Sequence, residues 1–290
     1  MKPPRFEYAA PRTLDEALGL LDQHGEGAKV LAGGQSLIPL LNFRLAHPAL
    51  LVDINRLADL AYVRRHDGGV AIGALTRQHA VERSGEVAAR VPVLAEACHL
   101  IGHLPIRHRG TIGGNLAHAD PASELPAVMV ALEAEIRLAS RRGARGVPAG
   151  EFFTGALTTA LQTGELLTEV RVPGLPPRTG GAFVEMARRA GDYALVGVAA
   201  IVTLDGAGRC QRARLALCGV GPTPVRARSA EEALAGHAPA GSVLDEAASL
   251  AAAATSPSGD LHGSAAFRRQ LARHFTREAI QMAARRAGGA

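Results

Sequence analysis

Two pairs of adjacent glycines, in the phrases LAGGQS at 31–36 and TIGGN at 111–115, constrain this chain more than any other feature. Each pair stands where an apolar segment gives way to a loop and then to a helix. Glycine permits positive φ and a close approach of the backbone to a ligand. Successive free N–H groups bind anions, and a following helix N-terminus adds partial positive charge. Two such loops predict a pyrophosphate site, whereas either one alone would read as an ordinary tight turn.

The common nucleotide-binding motifs are absent from the sequence. No Gly-x-Gly-x-x-Gly follows a predicted strand, and no Gly-x-x-x-x-Gly-Lys-Ser/Thr occurs. A Rossmann NAD site and a P-loop are therefore disfavoured. The phrase GVGPTP at 219–224 has no lysine, and its prolines indicate a loop.

The order of apolar segments and turn signals predicts two domains. The 290 residues exceed the roughly 100–200 of a typical domain. The stretch PGLPPRTGG at 173–181 has the composition of a linker. Before it, short strands alternate with helices in an α/β pattern up to about residue 175. After it, three strands with a DGAG turn predict an antiparallel meander, followed by helices. The predicted strands of the first part are 28–31, 50–54 and 70–72, and the predicted late helices are 229–234, 244–254 and 264–285.

Capping residues predict where several helices begin. Thr13, Ser36 and Thr76 each precede an apolar helical pattern and are suited to the N-cap position. Asp120-Pro121 predicts another helix start, with Asp at the N-cap and Pro at the first helical position. Pro126 falls one turn into that helix.

Charge and cysteine content exclude several classes of protein. The net charge is +5, but the basic residues are scattered and aromatic residues make up only 3% of the chain. Nucleic-acid binding is therefore not expected. The three cysteines include no Cys-x-x-Cys pair, which disfavours a disulfide framework, a zinc ribbon and an iron–sulfur cluster on this chain.

The same composition predicts a cytoplasmic protein. Reduced thiols fit the cytosol. The first residues contain no apolar secretory region, and no apolar run reaches the roughly 18 residues that span a bilayer. We expect no membrane span, and peripheral association with the inner face of a membrane stays open.

The sequence has two further features that resemble chemical sites. His99, His103, His108 and His118 lack the carboxylate or cysteine spacing of a metal site, so surface or loop positions are favoured and no metal is expected. Ser36 has no Gly-x-Ser-x-Gly surroundings, so a helix cap is favoured over a nucleophile.

The long phrases around both glycine pairs resemble a known family. LAGGQSLIPLLNFRLAHPALLVDI and IRHRGTIGGNLAHADPASELPA are similar to the FAD-binding, medium subunit of the molybdenum hydroxylases. This is the xanthine dehydrogenase superfamily, and the similarity is greatest to the carbon monoxide dehydrogenase type. The likeness continues in GDYALVGVAA, GVGPTPVRA and GSAAFRRQLARH, so it covers nearly the whole chain.

The resemblance implies an α+β fold in two domains. Residues 1–175 would form a two-part FAD-binding domain of the vanillyl-alcohol-oxidase/methylcarboxyphenol-hydroxylase (PCMH) type, with the two parts meeting near 55–60. Residues 176–290 would form an α+β C-terminal domain with a three- to four-stranded antiparallel sheet and helices.

The resemblance also implies a set of FAD-binding residues. The first loop would contribute Ala32, Gly33, Gly34, Gln35 and Ser36, and the second Thr111, Ile112, Gly113, Gly114 and Asn115. Glu124 matches an acidic position, where a carboxylate accepts hydrogen bonds from sugar or ribityl hydroxyls. Leu167 matches an apolar residue near the flavin ring. In the strand AFVEMARR, Glu185, or Val184 with a one-residue shift, occupies the position of a lysine that the family often carries, so a direct lysine contact to the flavin is not expected. Tyr193 would lie against the ring, with a plain turn residue as the alternative.

The functional implication is an electron-transfer subunit. Partner chains would be a small iron–sulfur subunit with two [2Fe–2S] clusters and a large subunit with the molybdenum cofactor, assembled as a dimer of heterotrimers. Electrons would pass through FAD on this chain to an external acceptor, and no residue here would be catalytic. The rivals are a stand-alone FAD oxidoreductase of the same fold and a scaffold that has lost FAD. The reducing substrate stays open among carbon monoxide, a purine, an aldehyde and an N-heterocycle, and the acceptor among quinone, dioxygen, NAD and a carrier protein.

Overall fold

The structure is a computed structural model that describes residues 2–289. The strands are β1 Glu7–Ala9, β2 Ala28–Leu31, β3 Leu50–Asp53, β4 Val63–His66, β5 Gly69–Gly73, β6 Glu135–Ser140, β7 Gly143–Pro148, β8 Phe153–Gly155, β9 Thr158–Thr159, β10 Leu166–Val172, β11 Thr179–Ala187, β12 Ala194–Leu204, β13 Cys210–Cys218 and β14 Val225–Arg226. The helices are α1 Leu14–His24, α2 Leu37–Asn42, α3 Gln78–Glu82, α4 Gly85–Arg90, α5 Pro92–Leu100, α6 Leu104–Arg109, α7 Ile112–His118, α8 Glu124–Leu132, α9 Ala149–Phe152, α10 Arg228–Leu234, α11 Gly241–Ala253 and α12 Ala265–Ala287.

Three main sheets follow one another along the chain. The first is parallel, in the order β1-β3-β2, and α1 packs on it. The second is antiparallel, in the order β4-β5-β10-β6-β7. The third is the predicted meander, β11-β12-β13, extended by β14. The last strand of the first sheet ends at Asp53, and the last strand of the second sheet ends at Val172. The domain limits near residues 55–60 and 175 stay predictions.

Helix α8 lies at the centre of the molecule. All of its residues from Glu124 to Leu132 are buried, because it packs against α5 and α7 on one side and β12 and β13 on the other. An almost wholly apolar sequence is what a helix enclosed on every side requires. Strand β12 is likewise buried along its whole length, since α12 covers one face and α8 contacts the strand as well. Helix α8 therefore lies between α5 and α7 and the third sheet.

Helix α8 begins later than the capping signals predict. Asp120 forms a turn instead, and its Oδ1 accepts a hydrogen bond from the amide of Ala122 at 2.9 Å. Ser123 occupies the N-cap position and Glu124 is the first helical residue. This start places Pro126 at the third helical position, where a missing N–H breaks no intrahelical bond.

The other cap predictions have different outcomes. Thr13 caps α1 as expected, by accepting a hydrogen bond from the amide of Glu16. Ser36 precedes α2, but its side chain forms no cap hydrogen bond. Thr76 does not cap α3, which follows Arg77, because its hydroxyl bonds both the amide and the carbonyl of Tyr62. The residues next to Thr76 in the sequence do not show that its hydroxyl is held by Tyr62, so this outcome could not be predicted from the local sequence.

Within residues 2–289, no helix combines the length and the apolar character needed to cross a membrane.

Candidate cofactor-binding site

The two glycine phrases, 80 residues apart in the chain, lie against each other in the structure. A methyl group on Gly33 would come within 2.5 Å of the carbonyl oxygen of Arg109 and 2.8 Å of the Cα of Gly110. A methyl group on Gly114 would lie 3.7 Å from the Cβ of Ala32. The first loop therefore packs on the backbone that leads into the second, and this contact requires glycine.

The first loop presents free backbone donors. Among the described residues, the amides of Gly33, Gly34, Gln35 and Ser36 have no hydrogen-bond acceptor. Gly34 has a φ of +74°, which turns the chain from β2 into α2. The side chain of Gln35 donates to the carbonyl of Gly33 at 3.1 Å, which ties the loop to itself. Consecutive free amides of this kind form an anion-binding concavity.

The amides of the second phrase are already engaged. Ile112 and Gly113 donate to the carbonyls of Thr76 and Ala74 at 3.0 and 2.9 Å. Gly114 donates to the hydroxyl of Thr111, the N-cap of α7, at 3.0 Å. The expectation of a second loop with free amides is therefore wrong, because this glycine pair forms the first turn of a helix. Its glycines serve close packing, since a methyl group on Gly113 would come 2.6 Å from the Cβ of Ala74.

A hydrogen-bond bridge that the sequence analysis did not identify connects the two phrases. Asn55 donates from Nδ2 to the carbonyl of Ala32 at 2.8 Å. Arg77 donates to Oδ1 of Asn55 at 2.7 Å and to the carbonyl of Arg109. Oδ1 of Asp53, at the end of β3, accepts hydrogen bonds from the backbone amide and from Nδ2 of Asn55. Asn55 and the first loop both follow the carboxyl ends of parallel strands, a usual place for ligands, and this signal could have identified Asn55.

The bridge also brings positive charge to the loops. Arg77 is partly buried, and its pKa is lowered, first by burial and then by the positive charge of Arg109. Arg109 is exposed and forms no ion pair with another described residue. Two neighbouring guanidinium groups beside free amides favour an anionic ligand at the first loop.

The N-terminus of α8 continues the site from the second phrase. Oδ1 of Asn115 accepts a hydrogen bond from the hydroxyl of Ser123 at 2.9 Å, so Asn115 fixes the start of α8. The next residue, Glu124, is only 4% exposed. Burial, reinforced by the negative charge of Asp120, raises the pKa of Glu124 to about 7. The protonated form of Glu124 is therefore favoured more than in an ordinary carboxyl group, whereas the sequence predicts a plain carboxylate.

Tyr193 stands at the edge of the third sheet, directly before β12. The turn that precedes it contains Gly191, which has a φ of +86° and packs on the ring of His103, the residue before α6. The Tyr193 side chain is 63% exposed. Its pKa is raised, by partial burial and then by the charges of Asp120 and Glu124, so the phenol lies near both acids.

Glu185 and Leu167 complete the predicted set. Glu185 lies in β11, and its Oε2 is a buried atom without a hydrogen-bond partner among residues 2–289. Burial, and then the charge of Glu124, raises the pKa of Glu185 to about 8. Leu167 is 3% exposed in β10, which packs against α7.

Comparison with known proteins defines the class. The family described as the FAD binding domain in molybdopterin dehydrogenase matches residues 4–175, and the CO dehydrogenase flavoprotein C-terminal domain matches residues 181–283. The chain belongs to this family of FAD-binding subunits of molybdenum hydroxylases, in the xanthine dehydrogenase superfamily. It is of the carbon monoxide dehydrogenase medium-subunit type, the flavoprotein component of an oxidoreductase. The family and fold class predicted from the sequence are confirmed.

Individual relatives match over their full length. The alpha subunit of the 6-hydroxypseudooxynicotine dehydrogenase complex of Paenarthrobacter nicotinovorans is 45% identical, over 99% of this chain and 97% of its own. The carbon monoxide dehydrogenase medium chain of Afipia carboxidovorans is 41% identical, over 99% of each. The solved structure of carbon monoxide dehydrogenase from Hydrogenophaga pseudoflava superposes with a TM-score of 0.96 at 42% identity, over 99% of both chains.

The geometry of this chain fits FAD. The free amides of the first loop suit the diphosphate, and Oε2 of Glu185 is a buried polar atom that a ligand would satisfy. Because Gly33 and Gly113 have no side chain, neighbouring segments of the chain pack closely against both glycine phrases.

Proposed function

We propose that this chain is the electron-transferring FAD subunit of a three-component molybdenum hydroxylase. It would pass electrons from [2Fe–2S] clusters on a small partner subunit, reduced by a large molybdenum subunit, to an external acceptor. The observation that carries the proposal is the row of free amides from Gly33 to Ser36, seated against the second glycine phrase. The full-length similarity to relatives named as medium chains and complex subunits supports the assembly.

Each part of the site has a separate task in this proposal. The first loop, with Arg77 and Arg109 beside it, binds the diphosphate. The second phrase packs under it and, through Asn115 and Ser123, positions Glu124. Tyr193 shields one face of the ring from the side of the third sheet. Bound FAD supplies the exchange between one-electron and two-electron transfer, while the protein binds and orients it.

The oligomer and the location remain part of the proposal. We propose a dimer of heterotrimers in the cytoplasm. The relatives are named after different substrates, and we propose that the large molybdenum subunit determines which substrate is used.

Gly114→Val tests the FAD assignment. The added side chain would collide with the Thr111 hydroxyl, which a Cβ already approaches to 2.8 Å, and would extend toward Ala32. We expect the variant to lose flavin, measured by absorbance of the purified chain, while circular dichroism shows the native fold. Unchanged FAD affinity in this variant means that the loop assignment is wrong.

Purification from the native host tests the assembly. A tagged chain should bring down two further chains, one with [2Fe–2S] signals in electron paramagnetic resonance and one with molybdenum by metal analysis. The isolated chain, loaded with FAD, should not oxidise an organic substrate. Turnover by the isolated chain would instead identify a stand-alone enzyme.

A further inference from the structure

Two glutamates lie on elements that meet where α8 packs on the third sheet: Glu124 begins α8, which contacts β12 and β13, and Glu185 lies in β11, the neighbour of β12. Glu185 is paired with Gly197, and Gly197 is paired with Cys218 on the next strand, so these residues form a row across three strands. A methyl group on Gly197 would come 2.7 Å from the Cys218 sulfur and 2.8 Å from the ring of Phe183. Side chains two residues apart share a face of a strand. Glu185 therefore lies on the Phe183 face of the sheet, which packs against the core that contains α8.

The side chains that act on this pair are acidic or neutral, and His118, at the end of α7, lies with its Nε2 4.0 Å from Oδ2 of Asp120. The charge of Glu124 raises the pKa of both Glu185 and Cys218, so the helix terminus faces this part of the row. The other titratable groups at the junction are Asp120 in the turn before α8, Cys98 on α5 and Tyr193 before β12. Among the described residues, no Lys, Arg or His acts on either carboxyl. Desolvation of buried Glu124 and half-buried Glu185, together with the repulsion between their charges, opposes ionisation of both carboxyls at once.

The unpartnered oxygen of Glu185 points to a ligand. Oε2 is buried and has no donor or acceptor within reach, which is unfavourable for a polar atom in a folded protein. A carboxylic acid can donate one hydrogen bond, whereas a carboxylate can only accept. The neighbouring Tyr193 provides an aromatic surface at the same junction.

We propose that Glu124 and Glu185 hold one proton between them at neutral pH, and that Glu185, as the carboxylic acid, donates a hydrogen bond to the ring of bound FAD. This inference rests on the proposed function, in which the ring lies beside Tyr193. The acid pair would then make flavin binding depend on pH, because loss of the proton removes the donor and adds a buried negative charge.

The test measures FAD affinity of the isolated chain against pH by flavin fluorescence. Wild-type affinity should fall roughly tenfold or more between about pH 6 and about pH 9, as one hydrogen bond is lost and a buried negative charge appears beside the ring. Glu185→Gln keeps a donor that does not titrate, so its affinity should depend on pH less steeply than that of wild type, with only the titration of Glu124 remaining. Glu185→Leu lacks the donor and should bind weakly throughout. Glu151→Gln, an exposed residue on α9, should behave as wild type. The same pH dependence in Glu185→Gln as in wild type overturns the proposal.

A measurement on the unmodified protein does not depend on the folding of any variant. Infrared spectroscopy at neutral pH should show the C=O band of a protonated carboxylic acid, and Glu185→Gln should weaken it, leaving the contribution of Glu124. A wild-type spectrum without that band would contradict the acid pair. If Gly114→Val abolishes FAD binding while the pH profiles of wild type and Glu185→Gln coincide, only the pair is wrong. If Gly114→Val binds FAD normally, the proposed function is wrong as well.

Thermal stability provides a second readout, whose sign follows from proton linkage. The folded-state pKa of Glu185 is raised from 4.5 to about 8, so between these values the folded chain holds more protons than the unfolded chain. The stability that depends on this proton is complete below about pH 4.5 and is lost as the pH rises through about 8. Melting temperatures of the FAD-free chain should therefore fall over this range, less steeply in Glu185→Gln. Equal slopes in the two proteins would contradict the inference.

Discussion

At the scale of single residues, a substitution at Gly34 tests whether the conformation of the first loop is needed for FAD binding. Its φ of +74° disfavours any other residue, and a Cβ there would approach Ile38 and Leu31 at 3.1 and 3.3 Å. Gly34→Ala should strain the loop by about 1–2 kcal/mol and misplace the free amides. We expect FAD affinity, measured by fluorescence titration, to fall at least tenfold.

Gly68 provides a matched control for Gly34. It has a similar φ of +78°, and nothing lies within 4 Å of its missing Cβ. Gly68→Ala should therefore lower the melting temperature through the same backbone strain, while FAD affinity stays unchanged. Equal FAD affinities in the two variants would show that the first loop does not hold the diphosphate.

Tyr193 allows a prediction about the ring. Because its side chain is 63% exposed, Tyr193→Ala should fold normally. Loss of a stacked or edge-on aromatic contact should weaken FAD by about 0.5–1.5 kcal/mol, which corresponds to roughly two- to tenfold. Quenching of flavin fluorescence should decrease, and Tyr193→Phe should keep both properties. If affinity, fluorescence and acceptor rates are unchanged in Tyr193→Ala, Tyr193 is a turn residue only.

At the scale of elements, the bridge from β3 to the backbone before α7 holds the two glycine phrases together. Arg77→Met removes the donors to Asn55 and to the Arg109 carbonyl. Hydrogen bonds from a charged group contribute about 1.5–3 kcal/mol, so FAD affinity should fall roughly ten- to hundredfold. Amide hydrogen exchange at residues 33–36 should also become faster.

Arg90→Met is the control for this bridge. Arg90 is also partly buried and bonds both a carboxylate and a backbone carbonyl, Glu86 and Gly68, but it lies on α4. Its replacement should cost some stability and leave FAD affinity unchanged. Wild-type affinity in Arg77→Met would show that packing alone positions the loops.

At the scale of the whole molecule, an arginine cluster joins the C-terminal end of α8 to the third sheet. Glu133 pairs with Arg212, Arg214 and Arg226, and Arg214 is only 5% exposed. Burial raises the pKa of Glu133, but the three positive charges outweigh it, and the net shift is downward. The contribution of this carboxylate to stability is therefore present above pH 4.5 and is lost as the pH falls through its lowered folded-state pKa.

Glu133→Gln should consequently destabilise the protein at neutral pH by about 1–3 kcal/mol, because buried Arg214 loses its charged partner. The difference from wild type should shrink as the pH is lowered, in melts followed by circular dichroism. Asp245→Asn, which removes an exposed partner of Arg277, should change stability by less than about 1 kcal/mol. A similar effect of both substitutions would show that the cluster is a surface feature.

Local sequence determined most of the elements and one part of the site. Apolar runs identified β2, β3 and β5, and the DGAG turn identified the meander, because these signals act over a few neighbouring residues. The first glycine phrase was correctly interpreted as a loop with free amides, since the positive φ of Gly34 is a local property.

Tertiary structure decided what the remaining residues do. The amides of the second phrase are engaged because the carbonyls of Thr76 and Ala74 lie opposite them, and the Thr76 hydroxyl is held by Tyr62. Glu124 and Glu185 are 61 residues apart in the sequence. Folding raises the pKa of Glu124 by burial and then by the charge of Asp120, and it raises the pKa of Glu185 by burial and then by the charge of Glu124. Sequence determines which groups can donate, accept or ionise. Only the fold determines which partners those groups meet and how much water they lose, and those two quantities set the chemistry of this site.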